Sequence, residues 1–156
     1  MAYNYVDEHR LIRYRGGQAR DVAAFAGDLQ AVDELDTLSV ELTFGVIIAP
    51  WDKYVEKNIV QPGDKLRVVN HDLTVFSGQV ESVTLDGGVT AYDRGWYLNK
   101  SQIILQVTGM PGDEAIRQAC AKAGVGVASI CSLPTKISQV WLGDTPADIL
   151  GEILET

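Results

Sequence analysis

Strict alternation of apolar and polar residues predicts the clearest strand of this chain, over residues 37–44. Apolar side chains occupy every second position there: Leu38, Val40, Leu42 and Phe44. A period of two over this length is typical of a β-strand that is buried on one face and solvated on the other.

Shorter strands follow at intervals of about ten residues, separated by polar turns. The turn at 61–64 contains Pro62 and Gly63, and glycine supplies the positive φ that many turns need. The predicted strands cover residues 65–69, 73–76, 79–85 and 89–92. This spacing indicates an antiparallel meander that closes into a barrel or a sandwich.

The pattern changes after Asp93, where apolar residues recur at helical spacing. Residues 95–100 predict a single helical turn, residues 103–107 and 137–142 two strands, and residues 113–123 and 145–155 two amphipathic helices. Pro111 and Pro146 are expected at the first helical positions, Thr145 as an N-cap and Gly124 just past the first helix. The predicted fold class is α+β and β-rich. It comprises an antiparallel barrel of about six strands in residues 1–105 and a partial α/β domain in residues 106–156.

The last predicted helix has no stop signal, and acidic side chains crowd its C-terminal end, where the helix dipole disfavours anions. We therefore expect the chain to be a piece of a longer protein.

Composition indicates a globular protein, with 46% hydrophobic and 22% charged residues. The apolar run at 46–50 is far shorter than the ~20 residues that cross a bilayer. Asp7, Glu8 and Arg10 interrupt the N-terminus where a signal peptide would need an apolar core. We expect neither membrane insertion nor secretion by a signal peptide.

The net charge of −8 argues against binding to nucleic-acid phosphates. Residues 21–50 contain six acidic and no basic side chains. These acids are either solvated surface charge or an acidic rim that meets a basic patch on a neighbouring subunit. The candidate interface residues are Asp28, Asp33, Glu34 and Asp36.

No catalytic, metal-binding or cofactor-binding set emerges from the sequence. The two histidines, His9 and His71, lack partner ligands nearby, and the sequence contains no phosphate loop, nucleophile elbow or zinc-protease motif. Cys120 falls in an apolar helical stripe, which predicts a buried thiol, and a disulfide with Cys131 is the alternative. The tryptophans Trp51, Trp96 and Trp141 are dispersed, which favours core packing over a sugar-binding platform.

From Gln61 onward the chain resembles the baseplate hub proteins of contractile phage tails and of defective-prophage and bacteriocin particles. The resemblance rests on the order and spacing of short motifs, and it extends upstream over residues 21–156. The motif residues are Gly63, Asp64, Phe76, Gly78, Ala91, Tyr92, Asp93, Tyr97 and Leu98.

The resemblance implies a non-catalytic hub subunit with two tube-like barrels flanking smaller α/β elements. Three subunits would form a ring that joins the tail tube protein to the spike protein, without a cofactor. The resemblance also implies a lumen, which the acidic residues Asp28, Asp33, Glu34 and Asp36 would line as the alternative to a subunit interface. Such a protein would assemble in the bacterial cytoplasm and end in the tail baseplate.

Three other functions remain open. A cell-wall-binding LysM-like module loosely matches residues 107–125. A cell-wall hydrolase on a small barrel would need a nucleophile–base pair that the sequence does not offer. A nucleic-acid-binding barrel is opposed by the negative charge.

Overall fold

The first unit of the protein is a seven-stranded antiparallel sheet. The computed structural model describes residues 9–33 and 38–156. The strands are β1 (His9–Arg15), β2 (Gln18–Asp21), β3 (Ala26–Asp33), β4 (Val40–Val46), β5 (Lys65–Asn70), β6 (Leu73–Val83) and β7 (Gly88–Asp93). They are hydrogen-bonded in the order β2-β1-β5-β6-β7-β4-β3.

The sheet curls into a half-barrel because its two edge strands follow each other in the chain. Only four residues separate Asp21 from Ala26, three of them in the 3-10 helix Ala23–Phe25. That connection spans at most about 18 Å, so the β2 and β3 edges must lie close together. The concave face holds the apolar core: Leu11, Val22, Leu42, Phe44, Ile59, Val60, Leu66, Val68, Phe76, Val80, Val89 and Ala91.

The prediction of an α+β, β-rich fold is confirmed. The sheet has seven strands, whereas about six are predicted. The predicted number is too low because the sequence pattern does not mark β1, β2 and β3 as strands. The two strands predicted at 73–76 and 79–85 are a single strand, β6, in which Gly78 pairs with Leu66 and Asp93.

Gly78 lies inside β6 at a position where a side chain cannot fit. A Cβ there would lie well inside van der Waals contact with the Tyr92 carbonyl group and the Phe76 ring. The glycine therefore marks a close approach of two backbones within a strand.

The second unit pairs two strands with two helices. Strands β8 (Ile103–Pro111) and β9 (Lys136–Asp144) are antiparallel, and the helices are α1 (Gly112–Lys122) and α2 (Pro146–Leu154), preceded by the 3-10 helix Arg94–Asn99. Its core gathers one face of each element: Leu98, Ile103, Leu105, Val107, Ala115, Ile116, Ala119, Cys120, Ile137, Trp141, Ile149 and Ile153. The two units divide between Asp93 and Arg94, whereas the sequence pattern predicts a division after residue 105.

The helix ends follow the local sequence signals with one exception. Thr145 forms a capping box with Asp148, and Pro146 begins α2, as predicted. Gly124 follows α1 with a φ of 72°. Pro111 is wrong as a first helical residue, because it is the last residue of β8 and occupies the N-cap position. Both cysteines are free, and Cys120 is buried as expected.

Candidate interaction surfaces

Two arginines of β1 point to the concave side of the sheet. Arg13 and Arg15 alternate with outward residues in the same register as the core residue Leu11. Arg13 is only 8% exposed, and its Nη1 donates a hydrogen bond of 2.6 Å to the Ile59 carbonyl oxygen. A charge this buried needs partners, because desolvation without them is costly.

Glu56 supplies the negative charge for two arginines at once. Arg13 and Arg20 lie directly opposite each other on β1 and β2, where like charges repel. Glu56 forms an ion pair with Arg20 and lies 3.7 Å from Arg13 Nη1. The carboxylate therefore both offsets the repulsion and ties residues 56–59 to the β1–β2 hairpin.

Asp64 anchors the other end of the same loop through a buried ion pair. Its carboxylate accepts hydrogen bonds from Arg15 Nε at 2.7 Å and Nη2 at 2.6 Å, and from the Gln61 N–H at 2.9 Å. Asp64 is 3% exposed. The hydrogen bond to Asp64 raises the pKa of Arg15 above its usual value.

Backbone hydrogen bonds also hold the Pro62–Asp64 turn in place. The Gly63 N–H donates to the Val80 carbonyl oxygen, and the Val80 N–H donates to the Asp64 carbonyl oxygen, both at 2.9 Å. Gly63 has a φ of 91°, which favours glycine. The two motif residues Gly63 and Asp64 thus fix where the 47–64 loop rejoins the sheet.

The other motif residues also have structural roles, in packing or in hydrogen bonding. Phe76 and Ala91 lie in the first core, and Leu98 lies in the second. The Tyr92 hydroxyl donates a 2.9 Å hydrogen bond to Glu41, and this bond raises the pKa of Tyr92. Asp93 lies opposite Gly78 in the β6–β7 register, and the ring of Tyr97 packs edge-on against Trp96.

Two of the four predicted acidic residues, Asp28 and Asp33, lie on strand β3. Asp28 lies in a bulge near the start of β3 with a φ of 56°, and Asp33 ends the same strand. Both are exposed, and within the described residues neither forms an ion pair. Glu34 and Asp36 lie outside the described residues, so the interface or lumen assignment stays a prediction.

The sequence does not predict a set of exposed apolar side chains, here called the end patch: Ile47, Ile48, Trp51 and Tyr54 of the 47–64 loop and Leu85 of the β6–β7 turn. Trp51 is 83% exposed, Tyr54 84% and Leu85 100%, so core packing is wrong for Trp51. The loop and the β6–β7 turn are adjacent, because the Val46 N–H donates to the Gly87 carbonyl oxygen at 2.8 Å. Beside the patch, a groove of about 230 Å³ is lined mainly by residues 46–50 and 56–60 and Val83.

Glu152, one of the acidic residues near the C-terminal end of α2, has a structural role. Its carboxylate accepts hydrogen bonds from Trp141 Nε1 at 2.7 Å and from Gln139 Nε2 at 2.9 Å. The acid therefore satisfies the indole N–H of a buried tryptophan. The outward face of the β8–β9 pair carries three exposed apolar side chains: Ile104, Val140 and Leu142.

The described part of the chain lacks two features. Residues 9–33 and 38–156 contain no group of three or more His, Cys, Asp or Glu side chains placed to hold a metal ion. In the same residues, no helix is long and apolar enough to cross a membrane.

Comparison with known proteins identifies the family of the chain. The sequence model described as YQBQ-like matches residues 33–156, so the chain belongs to the YQBQ-like family. No curated protein is significantly similar to it.

Two solved structures share the fold. The 43 kDa tail protein of prophage MuSo2 from Shewanella oneidensis superposes with a TM-score of 0.66 at 15% identity, over 94% of this chain and 49% of that chain. A tail protein from Neisseria meningitidis MC58 gives a TM-score of 0.59 at 18% identity, over 93% and 45%. The chain therefore spans about half the length of either protein, and the likeness shows the fold.

Proposed function

We propose that the chain is a structural, non-catalytic component of a phage tail or phage-tail-like particle. The observation that carries the proposal is the shared fold, which covers more than nine-tenths of this chain in two tail proteins. Both units of the chain fall within that shared region. The residues that sequence motifs single out serve packing, ion pairing and turns, as expected of a structural protein.

The finer proposal is a baseplate hub subunit that links the tail tube to the central spike as an oligomeric ring, a trimer in the full-length protein. Within residues 9–33 and 38–156, β2 and β3 each pair on one side only. A ring suits such a sheet, because contacts between copies would cover edges that could otherwise pair at random. The proposed partners are other hub subunits, the tail tube protein and the spike protein. The proposed location is the tail baseplate, reached after assembly in the bacterial cytoplasm.

The acidic segment has one of two roles in this proposal. It either faces a basic surface of a neighbouring subunit or lines a lumen through which DNA or a tape protein slides. Reversing Asp33, Glu34 and Asp36 together should then impair assembly or passage. Normal assembly and injection would leave the segment as solvated surface.

The LysM-like alternative loses support from the order of elements in the second unit. That alternative needs a second helix before the closing strand. Residues 123–135, between α1 and β9, form no helix, and α2 follows β9 instead.

The test is whether the protein is part of tail particles. A strain that carries the gene with an epitope tag is induced, and tails are separated by density-gradient centrifugation. We expect the tagged protein to sediment with tails at a fixed ratio to tube protein, and deletion of the gene to abolish complete tails. Complementation with the untagged gene is the control. Normal tails from the deletion strain would contradict the proposal.

A further inference from the structure

We draw no further inference here: the strongest candidate, the outward face of the β8–β9 pair, where the exposed side chains of Ile104 and Leu142 lie opposite each other and Val140 follows on the same face, carries nothing because the described residues do not show what covers it.

Discussion

Replacing Asp64 with asparagine tests the ion pair that holds the 47–64 loop against the sheet. The carboxylate is 3% exposed and accepts three hydrogen bonds, two from Arg15 and one from Gln61. Asparagine keeps the shape but removes the charge, and its NH₂ group then faces groups that can only donate. Arg15 is left without its anion.

The expected loss of unfolding free energy is about 3 kcal/mol. Breaking a buried pair by removing one partner costs about 3–5 kcal/mol. The lower end applies here, because the Arg15 side chain is 30% exposed and water can hydrate its charge. A loss of this size is a large part of the ~5–15 kcal/mol by which domains are stable.

Urea unfolding followed by circular dichroism measures the loss, and trypsin reports on the loop. We expect Asp64→Asn to speed cleavage after Lys53 and Lys57. The matched control is Asp72→Asn in the exposed β5–β6 turn, which should change stability by less than about 0.5 kcal/mol. If Asp64→Asn is as stable as that control and is cleaved no faster, the anchoring argument is wrong.

Three further predictions concern single contacts. Gly78→Ala should lower the free energy of unfolding by about 3 kcal/mol, because its methyl group overlaps the Tyr92 backbone. Gly27→Ala, where the methyl group meets open space, should lower it by less than about 1 kcal/mol. Chemical denaturation measures both changes. Thr145→Ala should cost about 1 kcal/mol through the lost helix cap, seen as a lower thermal midpoint. Hydrogen bonding to Glu41 raises the pKa of Tyr92, so the protonated tyrosine stabilises the folded state. This stabilisation is complete below pH ~10 and is lost as the pH rises through the pKa of the folded state. In an ultraviolet titration, Glu41→Gln should make Tyr92 ionise at lower pH.

Periodicity predicted the second unit well because its helices bury a regular stripe. Ile149 and Ile153 lie on the buried face of α2, and the Thr145–Pro146 pair marks its first residue. Local signals of this kind depend only on residues that are close in the sequence, so one sequence is enough to reveal them.

The strands missed in the first unit lack that regularity. In β1, Arg13 and Arg15 share the face of the core residue Leu11, and their partners Glu56 and Asp64 lie more than forty residues away in the sequence. Their burial depends on those distant carboxylates, which no local pattern reveals. Strand β3 is an exposed edge, so no alternation marks it.

The end patch was unpredictable for a different reason. Trp51 and Trp141 are the same residue type, yet one is 83% exposed and the other 2%. Exposure of a large apolar side chain is set by tertiary packing, and sequence alone assigns such residues to the core. The acidic segment, in contrast, was visible from charge order, and its role awaits experiment.

The most direct test of the central claim is the position of the protein in an intact particle. Tails carrying the tagged protein are labelled with gold-conjugated antibody and imaged by electron microscopy. The account predicts label at the baseplate end, where the tube meets the spike, at a constant ratio to the spike protein. Label along the sheath, on the cell wall or on no particle at all would contradict it.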